Sequence, residues 1–250
     1  MATQKSLIKI KGTVGDLTFY KSQDGHLLRE KGGIDAKRMK SDPAFQRTRE
    51  NGSEFGASCS AGKTVRKGLR GLLQHASDGR VGSRLVKVMM QIKNYDLLSV
   101  RGQRTPAGGI DTPQAHAMLK DFNFNLRSAM DSVLFAPFTV DMLTGEISFP
   151  MLTPMLDLNP PQGATHFSLT SAMADINFED GITALELSQE EIFEVGDTTT
   201  SSVQLMPATL PAGNGTRMNL LLLKFFQEVN GVNYVLRNGV YNALSVVGIS

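Results

Sequence analysis

The sequence is poor in the residues that build disulfides and aromatic stacking surfaces. It has one cysteine and no tryptophan, and aromatic residues make up 7% of its 250 residues. Because Cys59 has no second thiol in the chain, it cannot form an internal disulfide, which fits a reducing compartment. Without tryptophan, the chain also has no rich set of rings on which single-stranded nucleic acid could stack.

The chain lacks a long apolar run as well. Its longest apolar segment, residues 220–226, is interrupted by Lys224 and is far shorter than the ~20 residues that a membrane-spanning helix needs. The N-terminal segment contains no apolar stretch of the length found in a secretory signal. We therefore expect no membrane span, and a protein that stays in the cytoplasm or is exported without a conventional signal peptide.

A strong charge asymmetry is hidden in a net charge of only +2. Residues 1–105 contain 21 Lys and Arg against 9 Asp and Glu, whereas residues 106–250 contain 5 against 15. Opposite charges attract over about a Debye length, which is roughly 10 Å at 0.1 M salt. Two arrangements stay open: the halves pack on each other within one subunit, or they bind head to tail between subunits.

Strand and turn signals dominate the first thirty residues. Residues 7–11 alternate apolar and basic side chains, and residues 17–20 have the composition of a strand. The dipeptide Asp24-Gly25 is a strong hairpin signal. We predict a β-hairpin here, in a sheet so short of apolar residues that another surface has to cover it.

Helix signals follow the strands. Asp42 is a preferred N-cap residue and Pro43 suits the first helical position. Apolar residues then recur at helical spacing, which predicts a helical hairpin over residues 43–95. Three glycines in the first helix each lower helix propensity by about 1 kcal/mol: Gly52, Gly56 and Gly62. We interpret them as points of close backbone approach, and a helix break near Gly62 is the alternative.

Period-two patterns and turn residues dominate the remainder of the chain. Short apolar segments separated by Pro, Gly and Asn are typical of a sandwich. We therefore predict an α+β protein in three parts. These are a basic N-terminal module with a β-hairpin and a helical hairpin (1–105), a linker with a short helix (106–119) and an acidic, antiparallel, immunoglobulin-like β-sandwich (120–250).

One segment matches a relaxed phosphate-loop pattern. Residues 57–64 end in Gly-Lys-Thr, and such a loop works because backbone N–H groups at a helix N-terminus cradle phosphate. The preceding residues 49–54 predict helix instead of the required strand, and the chain lacks the alternating strands and helices of a nucleotide-binding fold. We interpret the match as a small-residue stretch inside a helix.

No other pattern indicates chemistry. The histidines are far apart in sequence and none has metal-ligand spacing: His26, His75, His116 and His166. Cys59 falls on the apolar side of the predicted helix, where an inert thiol is expected. The chain contains no Gly-x-Ser-x-Gly nucleophile motif. We predict no catalytic, cofactor-binding or metal-binding residues, no cofactor and no enzymatic activity.

The basic stretch of residues 29–104 raises the alternative of a module that binds nucleic acid or another polyanion. Phosphate contacts need little more than one basic helical face. Glutamates interrupt the stretch, however, and the whole chain is nearly neutral. We favour a face that is solvated or meets acidic protein, and we do not expect nucleic acid as the partner.

Three motifs resemble those of an uncharacterised family of Bacteroidota proteins. They are residues 12–21 (GTVGDLTFYK) with the following 29–33 (REKGG), residues 42–51 (DPAFQRTREN) and residues 238–245 (NGVYNALS). The resemblance covers both ends of the chain. It implies a basic N-terminal module followed by a β domain, and it carries no known activity or catalytic residues.

These observations favour a structural protein that associates with itself, or with another protein, over an enzyme. Basic strands and helices would bind the acidic sandwich of a neighbour, and strand addition would suit residues 6–11 and 17–21. A head-to-tail contact that does not close produces a filament or tube. The predicted interaction residues are Lys9, Lys11, Lys21, Lys63, Arg66, Lys67 and Arg70.

Overall fold

The described chain divides into two compact units. A computed structural model describes residues 2–5, 7–30, 34 and 36–250, and the units are Met1–Arg49 and Glu50–Ser250. This division differs from the segments that the charge distribution suggested, with their boundary after residue 105. The reason is packing, because helices from residues 50–119 share a core with strands that come later in the chain.

The first unit contains a four-stranded antiparallel sheet in the order β1-β4-β3-β2. The predicted hairpin at Asp24-Gly25 is confirmed, since it joins β3 to β4. Residues 7–11 lie outside the strands, and Ser6 and residues 31–33 lie outside the described residues. The strands are β1 (Ala2–Thr3), β2 (Gly12–Val14), β3 (Leu17–Ser22) and β4 (Gly25–Glu30).

No described residue of the first unit is buried. The register places Val14, Leu17, Phe19 and Leu28 on one face of the sheet, because cross-strand partners share a face. Val14 is 64% exposed and Leu17 is 42% exposed. The apolar face of this sheet therefore has no complete cover.

The predicted helices are confirmed. Asp42 caps the 3-10 turn Pro43–Phe45 by accepting a hydrogen bond from the Ala44 N–H, and Thr112 caps α6 through the N–H of Ala115. The helices are α1 (Ala36–Ser41), α2 (Gln46–Gly68), α3 (Arg70–Leu73), α4 (Val81–Ile92), α5 (Pro106–Gly109), α6 (Pro113–Leu119), α7 (Met130–Val133) and α8 (Pro154–Asp157).

The glycines of α2 have two different environments. An ideal Cβ at Gly62 would lie 3.3 Å from Val86 Cγ2 of α4, so this glycine does allow a close approach. At Gly52 and Gly56 the same position has no atom within 4 Å in the described chain. The interpretation as points of close approach is therefore wrong for these two residues.

The second unit contains two antiparallel sheets. In the larger sheet β12, β11, β7 and β8 lie side by side, while β13 pairs with β11 and β9 with β7; the smaller has the order β10-β6-β5. Helices and antiparallel sheets together confirm the α+β class. The strands are β5 (Thr139–Val140), β6 (Ile147–Leu152), β7 (His166–Ile176), β8 (Thr183–Leu187), β9 (Glu191–Glu194), β10 (Ser201–Leu205), β11 (Thr216–Val229), β12 (Val232–Val235) and β13 (Ala243–Ile249).

The larger sheet separates two apolar cores. Leu220 and Leu222 pack in one core with Leu85 and Met89 of α4. Leu221 lies in the other core, together with residues of the smaller sheet, because successive side chains of a strand point to opposite faces. One face of the larger sheet thus shares a core with residues of the smaller sheet, and helices cover its other face. The immunoglobulin-like β-sandwich stays a prediction.

Candidate interaction surfaces

The predicted interaction residues are all exposed, and they fall in both compact units. Lys63, Arg66 and Lys67 lie on the last turns of α2, and Arg70 begins α3. Within this group Arg66 is held by its own helix, because its Nε donates to the carbonyl of Gly62 at 3.3 Å. The second unit therefore carries a basic patch, which we define as Lys63, Arg66, Lys67 and Arg70.

Lys9 and Lys11 flank apolar side chains in an open segment, whereas Lys21 lies in β3, which pairs with a strand on each side. The side chain of Gln4 holds this segment, because Gln4 Oε1 accepts from the N–H of Ile10 at 3.1 Å, and Lys9 Nζ donates to the Gln4 carbonyl at 2.8 Å. Leu7 is fully exposed and Ile10 is 47% exposed. The segment combines positive charge with apolar surface, which suits contact with an acidic surface that also offers apolar area.

Such a surface exists on the second unit, although we did not predict it from the sequence. Residues 128–216 contain no Lys or Arg but twelve Asp and Glu. The densest group lies on and around β9, which begins at Glu191. The absence of positive residues over this span was the signal that could have found it. We define the acidic edge as Glu190, Glu191, Glu194 and Asp197 together with Ile192.

The carboxylates of the acidic edge differ in their hydrogen bonds and ion pairs. Glu190 pairs with Lys224 at 2.7 Å. Burial raises the pKa of Glu190, but the hydrogen bond and the positive charge of Lys224 act against it, and the pKa is lowered overall. The backbone N–H of Thr199 lowers the pKa of Asp197. Glu191 and Glu194 are exposed, so the edge is negatively charged at neutral pH even though Lys224 offsets one charge.

The segment that matches a phosphate loop is helical. Residues 57–64 lie inside α2, which spans Gln46–Gly68 without interruption. Their backbone N–H groups point along the helix instead of forming an open cradle, since a phosphate site needs the free donors of a helix N-terminus. The hydroxyl of Thr64 donates to the carbonyl of Ser60 at 3.2 Å. The interpretation as a small-residue helical stretch is confirmed.

A cleft of about 580 Å³ lies beside this helix, lined by Ser60, Thr64, Leu98, Asp96 and Asp180 among others. Two of its three acidic residues, Asp96 and Asp180, bind backbone donors through their carboxylates, and the third is Glu179. The two oxygens of Asp96 accept the N–H groups of Ser99 and Thr105, each at 3.0 Å, and Asp180 accepts from Ile182 at 2.8 Å. Burial raises the pKa of Asp96, but these hydrogen bonds outweigh it and lower the pKa. These groups organise loops and are not arranged as an acid–base pair.

Within the described ranges, no group of three or more His, Cys, Asp or Glu side chains could hold a metal ion. Cys59 is half-buried on α2. Among the described helices none is both long and apolar enough to cross a membrane. Comparison with protein-family models, with curated proteins and with solved structures finds no match to this chain.

The motifs behind the family resemblance have structural roles. Asp42 caps a helical turn. Asn238 and Gly239 have φ values of 54° and 77°, a left-handed turn that few residues other than Gly and Asn adopt readily. Asn242 is fully buried, with its amide bound to two backbone groups. The resemblance itself stays a prediction.

Proposed function

We propose that this protein is a non-enzymatic assembly protein that associates with further copies of itself. The proposal rests on the sheet of the first unit. This sheet has an apolar face, yet no described residue of the unit is buried. A small sheet gains stability only when its apolar face packs on something else. Open apolar faces of this kind are typical of protein interaction sites.

The charges of the two compact units support a head-to-tail contact. Residues 1–49 contain 11 Lys and Arg against 5 Asp and Glu, whereas residues 50–250 contain 15 against 19. The negative charge of the second unit is concentrated, because twelve carboxylates lie in the stretch of residues 128–216 that has no Lys or Arg. A basic unit that binds the acidic surface of the next copy leaves a free surface at each end. Such a contact propagates into a filament or tube unless its rotation closes a ring.

The exposed basic patch supports a second candidate function, the binding of nucleic acid or another polyanion. Four cationic side chains on two successive helices give the phosphate contacts that sequence-independent binding requires. The patch lies on the same unit as the acidic edge, which repels a polyanion over a Debye length. We therefore favour protein as the partner.

Sedimentation velocity of the nuclease-treated full chain tests the proposal. We expect oligomers at 0.1 M salt whose size falls at 1 M salt, because the Debye length shortens from about 10 Å to about 3 Å. A variant without residues 1–31 should keep the second unit folded and lose most of the association. A strictly monomeric protein at high concentration and low salt would overturn the proposal.

Charge reversals separate the two candidate functions. The variant Lys63→Glu/Lys67→Glu changes two exposed residues of the basic patch, and Lys120→Glu/Arg127→Glu changes two exposed basic residues elsewhere on the same unit. If the patch contacts a neighbouring copy, only the first variant weakens association of nuclease-treated protein. If the patch binds a polyanion, the first variant leaves association unchanged and instead weakens binding to added nucleic acid.

A further inference from the structure

The outer edge of β9 is open. The N–H of Val195 donates to the carbonyl of Thr165 at 2.9 Å, and the register pairs Phe193 with Phe167 and Ile192 with Ser168. Backbone groups of an antiparallel strand point alternately to its two sides. The groups of Phe193 therefore bond to β7, and those of Ile192 point away from the sheet.

The described residues cover this edge only in part. The neighbouring β8 is partly closed, because Ala208 donates to the carbonyl of Leu187 at 3.1 Å. On β9, Asp197 donates to the carbonyl of Glu194 at 3.3 Å, and among described residues no such bond reaches the outward groups of Ile192. The side chain of Ile192 is 50% exposed. The edge thus offers backbone hydrogen bonds and apolar area together.

The negative charge of the acidic edge restricts which strands can pair with β9. Free strand edges attract other strands, and proteins commonly protect them with charged side chains. Glu191 and Glu194 repel a second acidic edge, because like charges across a strand pair are unfavourable. The same carboxylates favour a strand that carries lysines beside apolar residues.

The first unit presents such a segment. Residues 7–14 read LIKIKGTV, with Ile8 78% exposed and Val14 64% exposed. Their last three residues form β2, which is the outer strand of its sheet and is exposed throughout. The segment carries two lysines and no carboxylate, so its charge is complementary to that of the acidic edge.

We propose that β9 accepts residues 7–14 of a second copy as an added strand. This inference rests on the proposed self-association and names its acceptor edge and its donor segment. In the antiparallel register that places Ile10 beside Ile192, the backbone groups of Ile10 exchange their hydrogen bonds to the Gln4 side chain for bonds to Ile192, and Lys11 lies beside Glu191. Ile10 then shares a face with Ile192, and Lys11 shares the other face with Glu191, while Glu194 lies on the face of Ile192 beside Ile8.

Disulfide trapping tests this contact on the full chain. In a Cys59→Ser background, a chain with Ile10→Cys is mixed with a chain with Ile192→Cys and oxidised at low salt. Paired strands place their Cα atoms within the 4.4–6.8 Å that a disulfide requires, so we expect covalent dimers of the two chains. The matched control replaces Ile192→Cys by Asn233→Cys, which lies on β12, another exposed edge strand of the same sheet.

The outcomes distinguish the specific β9 contact from self-association in general. Dimers through residue 192 but not 233 support the contact. Trapping at residue 233 alone, with oligomers intact, overturns the β9 contact while self-association stands. A disulfide that forms only when both cysteines lie on one chain shows docking within a subunit and overturns the second-copy contact. A protein that sediments as a monomer under these conditions overturns self-association itself.

A charge swap provides a second test that does not depend on cysteine chemistry. Glu191→Lys/Glu194→Lys should weaken association at least roughly tenfold, because Lys11 then faces a like charge at residue 191 and the whole edge becomes more positive. Mixing this variant with chains that carry Lys9→Glu/Lys11→Glu should restore association, with circular dichroism confirming that both variants fold. Failure of the mixture to associate better than the acceptor variant alone would contradict the assigned contact.

Discussion

Lys93 Nζ lies 2.6 Å from Glu54 Oε2, and both side chains are less than 10% exposed. The other oxygen of Glu54 accepts the N–H of Gly102 at 2.8 Å, and Lys93 also donates to Asn94 at 3.0 Å. The pair therefore ties α2 to the segments that follow α4, and its groups are satisfied without a ligand. We assign it a structural role.

Removing one member of this pair should strongly destabilise the protein. Glu54→Gln keeps the shape of the side chain but leaves the Lys93 ammonium buried without a counter-charge, which costs about 3–5 kcal/mol. Chemical denaturation followed by circular dichroism measures the change. The control is Arg101→Gln, which breaks the more exposed Arg101–Glu50 pair and should cost less than about 1 kcal/mol. Equal losses in the two variants would contradict the assigned role.

The free energy of unfolding should decrease in acid, because three partly or fully buried carboxyl groups have a lowered pKa in the folded protein. Hydrogen bonds from Lys93 and Gly102 lower the pKa of Glu54. In Asp78 and Asp96, burial raises the pKa, but hydrogen bonds to the carboxylates outweigh it and lower the pKa overall.

Because each folded-state pKa lies below its unfolded value, the unfolded chain takes up protons first as the pH falls. We expect constant stability from these groups above about pH 5 and a progressive loss below it, since free carboxyls titrate near pH 4. Denaturation at a series of pH values measures the loss, and Asp96→Asn should make it shallower. A protein that gains stability between pH 5 and pH 3 would contradict this assignment.

Two glycines of α2 should respond differently to alanine. Gly56→Ala adds a methyl group in open space and should raise the free energy of unfolding by about 0.5–1 kcal/mol, because glycine is disfavoured inside helices. Gly62→Ala gains the same propensity but places its methyl group 3.3 Å from Val86, so we expect a smaller gain or a loss. Thermal unfolding compares the two variants, and equal gains would show that Val86 yields freely.

The buried Asn242 should be sensitive to truncation. Its Oδ1 accepts the N–H of Phe225 at 2.9 Å and its Nδ2 donates to the carbonyl of His75 at 3.0 Å. Asn242→Ala leaves both backbone groups unpaired and should cost about 1–3 kcal/mol for each group that water cannot reach. The exposed Asn233→Ala should stay within about 0.5 kcal/mol of the parent protein. Chemical denaturation of both variants measures the difference.

The helices were predictable because their signals are local. Leu85, Met89 and Ile92 recur at helical spacing and all three are fully buried in α4. The cap at Asp42 also acts within a few residues of its position. Such patterns predict an element and its buried face from neighbours in sequence alone.

The long central strands were less predictable. β7 is buried along almost all of its length, so polar residues such as Ser168 and Asp175 lie inside with apolar ones. A strand covered on both faces loses the alternation that identifies strands in sequence. Its partner β11 lies about fifty residues further along the chain, and no local signal specifies that pairing.

The sequence by itself determined the charge of each part of the chain, the helices and the alternation of lysine with isoleucine in residues 7–11. Tertiary structure decided that the first unit has no buried residue among those described, and that acidic residues flank an open strand edge. Whether a backbone group of β9 points into the sheet or away from it depends on the register with β7. That register depends on contacts between residues distant in sequence, so only the folded chain shows which groups remain for a partner.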